Sequence, residues 1–230
     1  MEYAARLAEM ALFGTLPPAA LSQIAASMRL VHYEANATIF QEADVGHTCL
    51  VVLDGLVKVY RESEGGREVV LAILGSGEWL GELSLLDDLP RSASATALEP
   101  ADLLVVPRDA FRKHMVTYPE IALVMLRLLA RRLRRTDGLI ADAAFLDATE
   151  RVASILLDLG KRFGHAMGPS IEIPLHLRQQ DMAAMVGVTR ESLNRALVTL
   201  ESEGLITYGR MRITLLNPLG LQTRALAWSP

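Results

Sequence analysis

The sequence is short of what cross-links a chain or carries it through a membrane. One cysteine, Cys49, stands among 230 residues, so neither an internal disulfide nor a thiolate metal cluster can form within one chain. No run approaches the roughly 18 apolar residues needed to cross a bilayer, and no basic, then apolar, leader opens the chain. The expectation is a soluble cytoplasmic protein without a membrane partner. Aromatic residues make up only 5%. No Gly-rich P-loop, nucleophile elbow or paired-histidine metal motif is visible, so neither an enzyme nor a metal site is expected. An excess of positive charge is missing as well. The net charge of −4 speaks against a uniformly basic nucleic-acid coat.

What is present is core-forming material: 51% hydrophobic residues against 22% charged, which excludes a disordered or collagen-like chain. The length suits one large domain or two smaller ones. Charge is unevenly shared. Thr149 to Pro230 holds nine Lys/Arg and seven Asp/Glu, a net of +2, leaving fourteen against twenty, a net of −6, for Met1 to Ala148. The split hints at two tasks on one chain.

Helical spacing over Met1 to about Met28 is broken by Gly14 and Pro17-Pro18. β-prone runs follow at Leu30–Tyr33, Cys49–Leu53, Leu56–Tyr60, Glu68–Leu74, Ser92–Ala97 and Leu103–Val106. Turn signals at Asp54-Gly55, Gly65-Gly66, Gly75-Ser76-Gly77 and Glu99-Pro100 separate them. Short strands at this spacing predict an all-β barrel or jelly roll. Asp54-Gly55, between two alternating runs, predicts a hairpin.

Pro119 to about Phe145 is a long helical stretch. Ala122, Leu126, Leu129, Leu133, Thr136, Ile140 and Ala143 recur in steps of four and three, a heptad seam that favours a parallel helix pair and hence a homodimer. A single broad amphipathic helix is the alternative. A second stripe, Ile121, Val124, Met125 and Leu128, is placed to pack back on the β-rich part. Beyond Phe145–Ala148 come a helix over Thr149 to about Phe163, a loop with Gly164, Gly168 and Pro169, and a strand-like Ile171–Pro174.

The last structured part reads helix, turn, helix, then two short strands near Ile206–Tyr208 and Arg212–Leu215. Gly187 permits the positive φ of a sharp turn. Ala183 is small where two crossing helices approach. Thr189 suits an N-cap and Gly204 a C′ position. At 100° per residue, Arg190, Glu191, Asn194 and Arg195 share one face, and Leu193, Ala196, Leu197 and Leu200 the other. Arginine matches guanine O6 and N7, and Glu191 can accept from cytosine N4. Glu191 would equally suit the helix dipole without any ligand. The strand pair, with Arg210 and Arg212 near its turn, makes a wing.

The run Val186-Gly-Val-Thr-Arg-Glu-Ser-Leu-Asn-Arg195 resembles the bacterial CRP/FNR family of transcription regulators, and within it the cyclic AMP receptors; the likeness extends over nearly the whole chain. It implies that Arg190, Glu191 and Arg195 read bases in a palindromic TGTGA-type site, with Gln180, Thr189 and Ser192 on phosphates. Gln179 departs from the family arginine at its position. Gly81-Glu82-Leu83 followed by Arg91-Ser92-Ala93 resembles a cyclic-nucleotide phosphate cassette. Arg91 and Ser92 would hold the cyclic phosphate, and Glu82 the ribose 2′-hydroxyl. On the long helix the resemblance places Arg132 on the nucleotide side and Thr136 against the adenine amino group across the dimer seam. Asp137 stands where the family carries serine.

The implied fold is α+β. A cyclic-nucleotide-binding β-roll with an N-terminal helix occupies 1–118, a dimerisation helix and hinge 119–147, and a winged helix-turn-helix 148–230. The implied protein is a homodimeric DNA-binding regulator with cyclic AMP as effector, acting on double-stranded promoter DNA, with RNA polymerase as a partner. The resemblance puts the polymerase contact in the loop Gly164–Pro174. Cyclic di-GMP, or ligand-independent DNA binding, remain readings within the same fold. A regulatory module of an enzyme complex is the reading from another class. One cysteine excludes an iron–sulfur sensor. For haem, His32, His47, His114, His165 and His176 are available, and no spacing singles one out.

Overall fold

The computed structural model describes residues 2–10, 13–14, 16–174, 177–209 and 212–225; His176 and Arg210 lie outside them. Two compact units emerge, Met1–Arg134 and Arg135–Pro230.

In the first unit, α1 (Glu2–Glu9) and α2 (Pro18–Ser27) precede eight strands: β1 (Arg29–Tyr33), β2 (Thr38–Phe40), β3 (Thr48–Asp54), β4 (Val57–Glu62), β5 (Glu68–Leu74), β6 (Trp79–Leu80), β7 (Ser94–Ala97) and β8 (Ala101–Pro107). A one-turn helix α3 (Leu83–Leu86) interrupts them; α4 (Arg108–Thr117) and the long α5 (Glu120–Phe145) follow. The strands form two antiparallel sheets, ordered β1-β8-β3-β6 and β2-β7-β4-β5.

β3 shows why the layers stack as they do. Its side chains alternate between faces, and both faces are buried. Cys49, Val51 and Leu53 join Leu104 and Val106 of β8 in a core roofed by the helices. Leu50 and Val52 join Leu103 and Val105 in a second core against Val57, Leu74, Ala95 and Ala97 of the other sheet. The β1-β8-β3-β6 sheet is therefore a middle layer, helices on one side and a sheet on the other.

This arrangement corrects the Asp54-Gly55 expectation. β3 pairs with β8 and β6, whereas β4 pairs with β7 and β5. Both edges of β3 are thus taken, and Asp54-Gly55 carries the chain from one sheet to the other instead of closing a hairpin. The hairpin is β4–β5, where Glu62 faces Glu68 across the Gly65-Gly66 turn.

The stripe Ile121, Val124, Met125 and Leu128 of α5 is buried in the helix-roofed core. Trp79 anchors that core, 2% exposed, between Phe13 and Phe111 at ring distances of 5.3 and 6.0 Å.

The second unit takes the last part of α5, then α6 (Ala148–Phe163), β9 (His165–Met167), β10 (Ser170–Ile173), α7 (Gln179–Val186), α8 (Arg190–Ser202), β11 (Ile206–Gly209), β12 (Arg212–Leu215) and α9 (Pro218–Ala225). Its sheet runs β11-β12-β10-β9, antiparallel throughout. A capping box starts α6: Asp147 accepts from the Glu150 amide, and Glu150 accepts from the Asp147 amide. Both otherwise orphaned donors are satisfied by this reciprocal pair. Arg135–Asp158 at 2.8 Å and Ser154–Asp142 at 2.8 Å tie α5 to α6 within this unit.

Candidate functional site

The cassette is built where β6 runs into α3. Gly81 has φ +74, and a Cβ there would come within 2.3 Å of Arg91 Nη1. Only glycine holds this backbone without strain and lets the guanidinium approach. Arg91 is 6% exposed. Its Nη1 donates to the Gly81 carbonyl at 2.6 Å and its Nη2 to the Thr48 carbonyl at 2.7 Å, and Phe40 lies 4.3 Å beneath it. It makes no ion pair among the described residues. Burial pulls its pKa below the ordinary arginine value.

Glu82 is 0% exposed. Its Oε1 accepts from Arg132 Nη1 of α5 at 2.5 Å; Oε2 is buried with no hydrogen-bond partner. Burial raises its pKa, against the pull of Arg132. Arg132 also donates to the Trp79 carbonyl. Leu83 and Ser92 are exposed beside them.

The structure therefore brings Gly81, Glu82, Leu83, Arg91, Ser92 and Arg132 around one small cavity of about 50 Å³. A buried cation without an ion pair beside an unsatisfied carboxylate oxygen fits a ligand that carries one anion and one hydroxyl donor. Thr136 and Asp137 lie in the second unit, exposed on α5.

The second site is the α7–α8 turn. Gly187 ends α7 at φ +72, the left-handed conformation that glycine adopts at least cost. Thr189 caps α8, its hydroxyl accepting from the Ser192 amide at 3.2 Å. Leu193, Ala196, Leu197 and Leu200 are buried. Gln180, Thr189, Arg190, Glu191 and Arg195 are exposed, and Ser192 half-buried. Arg190 Nε donates to Gln179 Oε1 at 3.2 Å, and Arg195 Nη2 to Ser192 Oγ at 3.0 Å. Glu191 makes no ion pair among the described residues. Arg178 is held by the buried Asp181 at 2.9 Å. The wing strands stand in place, and exposed Arg212 is 3.6 Å from Glu172.

Two family matches coincide with these sites: the cyclic nucleotide-binding domain over residues 30–118 and the Crp-like helix-turn-helix domain over 150–224. The chain belongs to the CRP/FNR family. This CRP/FNR regulator is 36% identical over 200 residues to the CRP-like cAMP-activated global transcriptional regulator of Mycobacterium tuberculosis, covering 87% of this chain and 89% of that one. It is 38% identical to the cyclic AMP receptor protein of Thermus thermophilus, over 77% of this chain and 79% of that one. Among solved structures it resembles the c-di-GMP-responsive global regulator CLP of Xanthomonas campestris, with TM-score 0.75, 25% identity and coverage of 87% and 99%. The family makes this a DNA-binding transcription regulator with a cyclic-nucleotide domain and a helix-turn-helix.

The histidines take separate surroundings. His32 bonds Asp102 at 2.7 Å, buried His114 bonds Ser27 at 2.9 Å, and His47 and His165 are exposed. No cluster of three metal-ligating side chains occurs among the described residues, and none of their helices is long and apolar enough to cross a membrane.

Sequence reasoning missed Thr48 and Phe40, which flank Arg91, and Gln179 as a support for Arg190. Strand alternation at Thr48 gave no hint of a carbonyl turned toward a residue 43 positions away.

Proposed function

We propose that the chain is a homodimeric, cyclic-AMP-responsive regulator that reads a palindromic TGTGA-like site. The observation that carries this reading is the buried, ion-pair-free Arg91 guanidinium beside the unsatisfied Glu82 Oε2. Bound there, the nucleotide supplies a phosphate anion for Arg91 and Ser92 and a ribose hydroxyl for Glu82. The cavity of about 50 Å³ is below the roughly 300 Å³ at which ligand pockets begin. The Arg91–Gly81 and Arg132–Glu82 bonds close it, so ligand entry displaces both side chains.

Arg132 sits on α5, so its release from Glu82 reaches the seam directly. Leu126, Leu133 and Ile140 are 61%, 63% and 64% exposed, as unpaired positions of a parallel helix pair would be. Thr136 and Asp137, on that helix, offer acceptors to the adenine amino group from the second protomer. Arg190, Glu191 and Arg195 of the two protomers read half-sites roughly 34 Å apart. Gln180, Thr189 and Ser192 hold phosphates. The exposed β9 strand and the Gly168-Pro169 turn, within Gly164–Pro174, are the surface for RNA polymerase.

Gel retardation of TGTGA-type DNA with cyclic AMP, with cyclic di-GMP and without ligand tests the reading. Enhancement by cyclic AMP alone supports it. Enhancement by cyclic di-GMP alone, or equal binding in all three, overturns the effector assignment.

A further inference from the structure

Asp88 closes the cassette loop between α3 and Arg91. It is a non-glycine residue at φ +60, a conformation that needs outside support. Two arginines one turn apart on α4 provide it. Arg112 Nη2 lies 2.6 and 2.8 Å from the two Asp88 carboxylate oxygens, and Arg108 donates to the same carboxylate. Arg112 beside Asp88 holds its carboxyl below the ordinary aspartate value, with Arg108 adding to the effect.

Arg108 reaches further than its ion pair. Its side chain donates to the carbonyls of Gly46 and Ser84, the latter at 2.9 Å, and its own amide donates to the His47 carbonyl. Gly46 and Ser84 both border the phosphate side of the cassette. A Cβ on Gly46 would come within 2.5 Å of Ser84 Cβ and 3.1 Å of Arg91 Cζ. The opposite face of α4 buries Phe111 against Trp79, so the helix that carries both arginines is fixed to the core.

We propose that Asp88, Arg108 and Arg112 form a clamp that positions the nucleotide cassette. By this clamp α4 holds the loop from Ser84 to Arg91 at the spacing the phosphate requires. None of the three touches the ligand; they act through the Gly46 and Ser84 backbone and through Arg91. The effect on affinity rests on the cyclic-nucleotide reading, whereas the ordering of the loop does not.

The test uses the full chain with Asp88→Gly, Arg112→Gln and Arg112→Lys. Glycine accepts φ +60, so Asp88→Gly removes the carboxylate without adding backbone strain. Hydrogen exchange of the Ser84–Arg91 amides, without ligand, is expected to rise in Asp88→Gly and Arg112→Gln. Protection elsewhere in β3 and β8 stays as in the parent. Calorimetric affinity for cyclic AMP is expected to fall about three- to ten-fold in the same two variants, and Arg112→Lys to recover most of it. Parent-like exchange in Asp88→Gly overturns the clamp, as does a uniform rise across the whole unit. Faster local exchange with no cyclic AMP binding even by the parent leaves the clamp standing and removes the effector reading.

Discussion

Arg190 Nε donates to Gln179 Oε1 at 3.2 Å, joining the first residue of the recognition helix to the first residue of the helix before it. Gln179 stands where the family carries an arginine. Neighbouring Arg178 is committed to the buried Asp181. The glutamine is thus placed to orient the Arg190 side chain, the proposed base reader. Arg190→Ala is expected to cost about 1–3 kcal/mol of specific DNA binding and to relax preference at one position in each half-site. Gln179→Ala should cost less, about 0.5–1.5 kcal/mol, in the same sequence-selective way. Anisotropy titrations against single-base variants check both; a uniform loss across sequences would make Arg190 a phosphate contact.

Arg91→Leu removes the buried cation and leaves the Gly81 and Thr48 carbonyls without their donor. Stability should drop by about 1–3 kcal/mol, and the DNA affinity measured without ligand should remain. Cyclic AMP should no longer raise that affinity. Calorimetry and gel retardation on one preparation read both quantities, and an intact response would exclude Arg91 from the site.

Leu133→Glu places a charge in the centre of the exposed seam. Because Leu133 is 63% exposed in the single chain, the unit around it should fold unchanged. Sedimentation should show a monomer, with DNA binding weakened. A persistent dimer would locate the interface elsewhere.

Asp147→Ala deletes one half of the capping box at the start of α6. A loss of about 0.5–2 kcal/mol is expected, read as a shift in thermal unfolding. Full retention of stability would mean that solvent serves the Glu150 amide as well as the Asp147 carboxylate does.

His32 pairs with Asp102 across β1 and β8 at 2.7 Å. The Asp102 hydrogen bond raises its pKa, with Glu34 adding to the pull. A group whose folded pKa is raised stabilises most below its unfolded value and loses that contribution as pH rises through the folded one. NMR titration should place His32 above an ordinary histidine, and Asp102→Asn should bring it down. No change in Asp102→Asn would remove the pair as the cause.

The strand runs, the long helix with its two stripes and the helix-turn-helix were legible because each is a local periodicity. β2, β6 and β9 were not, being only two or three residues long. α4 also escaped: its sequence RDAFRKHMVT is mostly polar, and Phe111 and His114 are its buried residues. α9 escaped too, with Leu221 as its buried residue.

The sequence by itself determined the longer strands and helices and the polar face of α8 that carries Arg190, since each follows from neighbours within a turn or a strand, while Glu82 and Arg91 became candidates through the resemblance of their short motifs to a nucleotide cassette. Only the tertiary structure decided that Asp54-Gly55 changes sheets, that Arg132 meets Glu82 from 50 positions away, and that Asp88 is held from α4. Those pairings depend on which strand edges are already occupied and which charges share a buried space. That information lies in three-dimensional packing, and no spacing along the chain encodes it.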